Sequence, residues 1–174
     1  MDYQPYQPEV DRPLKDVSEE QAIRVLQDVM ETLDSRLVQL ASLLGAYGIR
    51  LDFSDESITK LEQWFNENVE PSERNPGQLE GIWYSIAHDI GLYFGELVIN
   101  RGRNLKWILC RETTSNSFHR HVVGGIAGAD GEPWYVDFEI MLILYGYETI
   151  DGKRSRSTFF PAVVHDVLER DSKS

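Results

Sequence analysis

Two histidines and two carboxylates stand at spacings that could support metal chemistry. His119 and His121 are separated by one residue in a segment with strand-like composition, and Asp137 and Glu139 follow in the next such segment. A His-x-His pair on a strand places both imidazoles on one face, which is the arrangement that a metal site needs. One hypothesis is therefore a metal-assisted hydrolase or a small-molecule binder that uses this strand.

The register of the predicted hairpin decides whether these four groups meet. If Asp130 and Gly131 form a two-residue turn, both histidines lie on the apolar face of the hairpin. Asp137 and Glu139 then point to the opposite face, and no metal cluster forms. A slip of one residue would restore the cluster, because successive side chains in a strand alternate between faces. Partly buried histidines without a ligand are the alternative.

A second candidate site is a polar stripe on a predicted helix. Asp89, Tyr93 and Glu96 follow one another at spacings of four and three, so they share a helix face, with Trp83 near it. Two carboxylates around an aromatic ring could serve acid–base chemistry or bind a cationic group. The alternative is structural. Glu96 would pair with a base from the sheet, and Asp89 would have a specific partner because its helix is otherwise apolar.

Helical patterns fill the first hundred residues and return at the end of the chain. Ser18 and Gln21 form a capping-box pattern, and an apolar stripe at spacings of three and four then predicts a long helix that ends near residues 45–48. A second helix is predicted after Ser54 and a third over residues 78–100. The C-terminal segment predicts a short helix that begins at Pro161.

Between residues 105 and 145 the apolar pattern changes to the period of strands. We predict strands over 105–111, 118–128 and 133–145. The fold class expected is α+β, with N-terminal helices packed on an antiparallel sheet of three or more strands and a C-terminal helix. The proline-rich residues 1–16 are expected to form a flexible arm, and residues 17–174 a single domain.

Small residues recur on the third predicted helix. Ala87, Gly91 and Gly95 lie four residues apart, and a glycine inside a helix costs about 1 kcal/mol relative to alanine. The stripe predicts that another backbone, most simply that of the sheet, approaches the helix there.

The net charge of −12 is confined to one part of the chain. Residues 1–100 hold 19 acidic and 7 basic residues, whereas residues 101–174 hold 10 of each. An acidic field repels nucleic acid and anionic membranes and attracts basic partners. The basic run at 152–157 is too short for a nucleic-acid patch. We expect neither nucleic acid nor membrane as partner. A basic protein partner is one hypothesis, and a charge that only prevents aggregation is the other.

Several motifs are missing from the sequence. Cys110 is the only cysteine, which excludes an intrachain disulfide and a cysteine-based zinc site. We find neither a phosphate-binding glycine loop nor a nucleophile elbow, so no catalytic residue is assigned and no cofactor is expected. The N-terminal segment does not resemble a signal peptide, and no apolar run reaches the ~20 residues of a membrane span. A cytoplasmic protein is expected.

One segment resembles a known pattern. Asp89–Glu96, which contains Gly-x-Tyr-x-Gly-Glu, followed by Leu105–Trp107, resembles uncharacterised bacterial proteins in which such a helix precedes a strand with a tryptophan. Some of these small acidic proteins are similar to immunity proteins of toxin systems. The resemblance implies a bacterial origin and an immunity-like role without catalysis. Together with the charge, the resemblance gives the leading hypothesis, which is a protein whose acidic helical half docks a basic partner. Self-association remains open.

Overall fold

The structure, a computed structural model, describes residues 3–128, 131–152 and 158–174. Within these ranges the chain forms five α-helices, three β-strands and a short 3-10 turn at Leu14–Asp16. The elements in order are α1 (Glu19–Gly45), α2 (Asp55–Asn68), α3 (Gly81–Arg101), β1 (Lys106–Leu109), β2 (His121–Ala127), β3 (Pro133–Val136), α4 (Phe138–Ile150) and α5 (Phe159–Lys173). Helices precede and follow an antiparallel sheet, which confirms the α+β class.

The first two helices begin where the sequence predicted. Ser18 caps α1 by accepting from the backbone N–H of Gln21, whose side chain accepts in turn from the N–H of Ser18. Ser54 caps α2 by accepting from the N–H of Ser57. Each side chain satisfies an N–H that the first helical turn leaves without a partner, so these caps fix the start of each helix.

Helix α3 is the centre of the molecule. It packs against α1, α4, α5 and the sheet, and most of its residues are buried. A helix that is covered on nearly every side has no need of a polar face, which explains its apolar composition. Ile86 and Ile90 are buried, whereas Ile82, one turn earlier, is 40 % exposed.

The sheet has the order β1-β2-β3 with antiparallel neighbours. Ala127 pairs with Pro133, one residue away from the predicted register. A bulge at Gly125, whose φ is +110°, moves the remaining pairs by one more residue. The predicted register is therefore wrong. The connection runs from 128 to 132, where the N–H of Gly128 donates to the carbonyl of Glu132. Of the two predicted turn residues, Asp130 lies outside the described residues.

The predicted strand over 133–145 is wrong beyond Val136. Asp137 ends the strand and caps α4, because its carboxylate accepts from the N–H of Ile140. Nearly every residue that follows is apolar, so neither the strand period nor the helix period shows in the sequence. At 13 residues the segment suits a helix packed on α3. The first two strands, at 106–109 and 121–127, are shorter than predicted.

The C-terminal helix begins earlier than predicted. Helix α5 starts at Phe159, so Pro161 stands within its first turn, where the missing N–H has no helical acceptor to lose. Of the basic run at 152–157, Gly152 closes a turn after α4, and residues 153–157 lie outside the described residues.

The glycines of α3 admit two different neighbours. A Cβ at Gly95 would overlap the indole of Trp107 on β1, so the neighbour there belongs to the sheet but is a side chain and not the predicted backbone. A Cβ at Gly91 would lie 3.1 Å from the backbone nitrogen of Glu139, so the neighbour there is the first turn of α4 and not the sheet. Gly91 therefore brings α4 close to α3.

The N-terminal arm, defined here as residues 3–16, lies against α1 and α3. The Tyr3 hydroxyl donates to Asp89 on α3 at 2.6 Å, and Arg36 on α1 donates to the carbonyl of Gln4 at 2.8 Å. The ring of Tyr6 stacks on the imidazole of His88 on α3, with ring centroids 4.0 Å apart. These contacts place the arm over one end of the polar residues of α3.

Candidate functional site

A buried polar cluster lies where α3, β2 and α4 meet. It consists of His88, Arg120, His121, Asp137 and Glu139, and we call it the polar cluster. The Nδ1 atom of His88 is 2.9 Å from Oε2 of Glu139, and Nε2 of His121 is 3.7 Å from the same oxygen. The relative exposure of the two histidines is 2 % and 8 %.

The backbone explains why these groups meet. His88 stands three residues before Gly91 on α3, so the two share a helix face. Because Gly91 lets the first turn of α4 approach, the carboxylate of Glu139 reaches the imidazole of His88. His121 is the first residue of β2, the central strand. The N-terminus of α4 also favours a carboxylate at Glu139, because its free N–H groups carry partial positive charge.

Arg120 compensates the two carboxylates of the polar cluster. Its Nε donates to Asp137 at 2.7 Å, and its Nη2 lies 3.0 Å from Glu139, an ion-pair distance without the angle of a hydrogen bond. Burial opposes the charge of Arg120, but the neighbouring Glu139 and Asp137 outweigh it and raise the pKa of the guanidinium. Burial would also raise the pKa of Glu139, yet Arg120 and then His88 hold it below its usual range.

His121 is held in its neutral form. Burial lowers the pKa of its imidazole to about 3, and the attraction of Glu139 offsets only part of that effect. His121 is therefore uncharged at neutral pH. A neutral imidazole next to a carboxylate is the state in which histidine binds metals or accepts hydrogen bonds.

A cavity of about 260 Å³ separates the arm from the polar cluster, and we call it the arm cavity. Its outer wall comes from the arm and its inner wall from α1, α3 and the polar cluster. The Ser85 hydroxyl donates to the carbonyl of Tyr6 at 3.3 Å and helps to fix the arm at its edge. Its lining includes Tyr6, Val10 and Leu14 of the arm and His88, His121 and Glu139 of the polar cluster.

Besides Nη2 of Arg120, which is at ion-pair distance from Glu139, three buried polar atoms on residues of the arm cavity have no hydrogen-bond partner within the described part of the chain. They are the hydroxyl of Tyr6, Nε2 of His88 and Nδ1 of His121. A buried polar atom without a partner costs about 1–3 kcal/mol, and native proteins leave few of them. Three such atoms on residues that line one cavity make it a candidate binding site. Trp64 Nε1, also unpartnered, belongs to a separate surface cleft.

The predicted His-x-His site is wrong in one of its two residues. His121 belongs to the polar cluster, but His119 precedes β2, with a φ of +64°. Its imidazole stacks on Phe118, and Nδ1 lies 3.1 Å from the carbonyl of Val17. The sequence analysis missed His88. The signal was available, because His88 is a polar residue in an apolar helix, as Asp89 is.

Asp89, a residue of the predicted polar stripe, lies in a buried ion pair. Its carboxylate accepts from Nε and Nη2 of Arg36 on α1 at 2.8 and 2.7 Å. The Tyr3 hydroxyl supplies a third hydrogen bond, and burial together with Asp89 raises the pKa of Tyr3. This agrees with the expectation that Asp89 has a specific partner.

The other residues of the predicted stripe each contact different elements. The Tyr93 hydroxyl accepts from the N–H of Phe53 at 3.0 Å, and Glu96 accepts from the indole N–H of Trp107 at 2.8 Å. Trp83 packs in the core against aromatic side chains of α2. The structure therefore separates these groups, and none of them joins the polar cluster.

Fold and site together define an α+β protein with a buried histidine–carboxylate cluster beneath an N-terminal arm. Comparisons with protein-family models, with curated proteins and with solved structures found no match. None of the helices in the described ranges is both long and apolar enough to cross a membrane.

Proposed function

We propose that the protein binds a small polar molecule in the arm cavity. The observation that carries the proposal is the set of three unpartnered buried atoms, on Tyr6, His88 and His121, around one cavity of about 260 Å³. Binding sites for small molecules combine a mainly apolar wall with a few convergent polar groups. This is the small-molecule hypothesis of the sequence analysis with His88 in the place of His119.

The hydrogen bonds of the polar cluster restrict the ligand. An ionised carboxylate can only accept, so Nδ1 of His88 carries the proton that it shares with Glu139. Nε2 of His88 and the Tyr6 hydroxyl remain for a ligand, and the hydroxyl can donate or accept. The arm supplies the apolar side chains of Val10 and Leu14. The expected ligand therefore has a polar end that forms hydrogen bonds and a small apolar part.

Side-chain NMR of the histidine rings tests this proposal. We would titrate the protein with acetate, phosphate, ethanolamine and imidazole as small probes. At least one probe is expected to shift the ring signals of His88 and His121 but not those of His165, whose side chain is 80 % exposed. Ring signals of His88 and His121 that stay unchanged with every probe, or change equally at His165, would contradict it.

A matched pair of tyrosine variants gives the control. Tyr6→Phe removes one hydrogen-bonding group of the arm cavity and should weaken probe binding by up to about tenfold, since a neutral hydrogen bond contributes about 0.5–1.5 kcal/mol. Tyr47→Phe changes a hydroxyl on a residue that is 50 % exposed and should leave binding unchanged. Equal affinities of the two variants would place the probes elsewhere.

The exposed carboxylates of α1 and α2 support a second proposal. The acidic helical half would dock a basic protein partner, as an immunity-like protein does. The electrostatic field of exposed carboxylates extends into the solvent, where it attracts the basic surface of a partner and speeds association. The exposed acidic residues of the two helices are Glu19, Glu20, Glu31, Asp34, Asp55, Glu56 and Glu67.

A pull-down at two salt concentrations tests the docking proposal. We expect one basic protein to bind at low salt and to be lost at high salt, because salt screens exposed charges. Charge reversal at Glu31 and Asp34 should weaken this binding, whereas Tyr6→Phe should not. The absence of a partner, or a partner insensitive to both salt and charge reversal, would argue against docking through the acidic half.

A further inference from the structure

We propose that His88, His121 and Glu139 form the binding site of one divalent transition-metal ion at the inner wall of the arm cavity. Each residue offers one ligand atom, and the three atoms lie within 4.8 Å of one another. The inference rests on the proposed function in one respect, which is that the small molecule would bind next to the ion.

The distances between the ligand atoms suit a metal centre. Ligands at 2.0–2.2 Å from a tetrahedral ion lie roughly 3.4 Å from each other. The two histidine nitrogens lie 2.9 and 3.7 Å from Oε2 of Glu139, on either side of that value. For these two pairs of atoms, shifts of a few tenths of an ångström would give the spacing of ligands around one ion. Since α3, β2 and α4 each supply one ligand, the core of the fold holds the ligands in place.

The donor set indicates which ions would bind. Two imidazoles and one carboxylate suit Zn²⁺, Fe²⁺, Co²⁺ and Ni²⁺, whereas Mg²⁺ and Ca²⁺ prefer sites made of oxygen alone. Three protein ligands leave at least one coordination position for water or for a bound molecule. The arm cavity borders all three ligand residues, so it gives such a molecule space beside the ion.

The charges around the site favour a cation. The polar cluster sets two carboxylates, those of Asp137 and Glu139, against the guanidinium of Arg120. A divalent ion would add two positive charges beside this guanidinium, and an anionic oxygen on the open position would offset part of them. We therefore expect the small molecule to bind the ion through a carboxylate or a similar anionic oxygen.

The hydrogen bonds leave the imidazoles available as ligands. On His88 the proton of Nδ1 must leave or move to Nε2, and Nε2 has no partner among the described residues that would oppose this change. On His121 the proton can occupy Nδ1, which is also unpartnered, so that Nε2 offers its lone pair. The carboxylate of Glu139 retains capacity for an ion beside Arg120, because each ionised carboxylate has about four acceptor positions.

Titration of the 174-residue chain with Co²⁺ and Zn²⁺ tests the site. We expect one Co²⁺ per chain, visible absorption bands from the bound ion, and a rise in the melting temperature with Zn²⁺ but not with Mg²⁺. Glu139→Gln and His121→Gln should each lower the affinity at least tenfold, while circular dichroism shows that both variants remain folded. If one variant unfolds, the other retains the test.

Two histidines outside the site serve as controls. His165→Gln changes an exposed imidazole and His119→Gln a buried one, and both should keep full affinity for Co²⁺. The inference is overturned if no stoichiometric binding occurs, or if His121→Gln binds Co²⁺ as well as the unchanged protein does. Loss of binding in His165→Gln alone would also overturn it, because the ion would then sit on the surface.

The metal proposal can fail separately from the small-molecule proposal. Probe titrations in the presence of EDTA measure binding to the arm cavity without an ion. If probes bind in the presence of EDTA and the protein binds no Co²⁺ when EDTA is left out, the metal site is refuted and the proposed function is kept. Stoichiometric Co²⁺ binding in a protein whose histidine rings respond to no probe supports the metal site and refutes the small-molecule proposal.

Discussion

Replacement of Asp89 by asparagine tests whether the polar residue at the centre of α3 is structural. Asp89 is fully buried, and its carboxylate accepts two hydrogen bonds from Arg36 and one from Tyr3. Asparagine has the same shape but no charge. The guanidinium of Arg36, whose side chain is 10 % exposed, would then be buried without a counter-charge.

The expected effect is large for a single isosteric substitution. Removing one partner of a buried ion pair destabilises a protein by about 3–5 kcal/mol, because the desolvated charge that remains has lost its compensation. For a chain of 150–250 residues, each kcal/mol lowers the melting temperature by about 2–4 °C. Asp89→Asn should therefore lower the melting temperature by roughly 6–20 °C.

Urea unfolding measures the change, and Asp34→Asn on the exposed face of α1 provides a matched control with little expected effect. The double variant Arg36→Met with Asp89→Asn should be more stable than Asp89→Asn alone, because no charge stays buried. A loss below about 1 kcal/mol for Asp89→Asn would refute the reasoning. So would strict additivity in the double variant. Asp89 would then return as a candidate for ligand binding.

Three further predictions concern the polar cluster, α3 and the arm. Burial holds the pKa of His121 at about 3, below that of a histidine in the unfolded chain, so between pH 6.5 and 4.5 the unfolded state binds more protons than the folded state. The free energy of unfolding therefore falls as the pH decreases, by up to about 1.4 kcal/mol per pH unit. In urea titrations His121→Gln should lose this part of the slope and His165→Gln should retain it. Gly95→Ala should lower stability by about 1–3 kcal/mol, because the added methyl group would clash with the indole of Trp107. Gly45→Ala should be neutral or stabilising, because a Cβ there meets no atom of the described residues within 4 Å. Equal effects of the two substitutions on stability would count against the contact between Gly95 and Trp107. Without ligand, Tyr6→Phe removes an unpartnered hydroxyl and should leave thermal stability unchanged or raised, so a clear loss would mean that the hydroxyl has a partner.

The elements that local signals specify were predictable from the sequence. The start of α1 follows from Ser18 and Gln21, and the start of α2 from Ser54, because a cap involves side chains only a few residues apart. The apolar stripe of α1 likewise follows from helical periodicity, since one face is buried and the other is exposed. The change to strands after Arg101 was likewise predictable, because the apolar period changes there from that of a helix to that of a strand.

Helix α4 could not be recognised in this way. Its sequence is apolar at nearly every position, so it shows no period, and a buried strand or a buried helix would look alike. The cap at Asp137 and the close approach at Gly91 decide for a helix, and the second of these is a tertiary contact.

The polar cluster was within reach of the sequence only in part. His121, Asp137 and Glu139 were recognised as candidate residues, but the predicted register placed them apart. The bulge at Gly125, the longer hairpin connection and the helix at 138–150 changed that geometry. Residue types and local periodicity determine which groups can do chemistry. Which of them meet is decided by packing, because His88 on α3, His121 on β2 and Glu139 on α4 are brought together only when three elements close around one core.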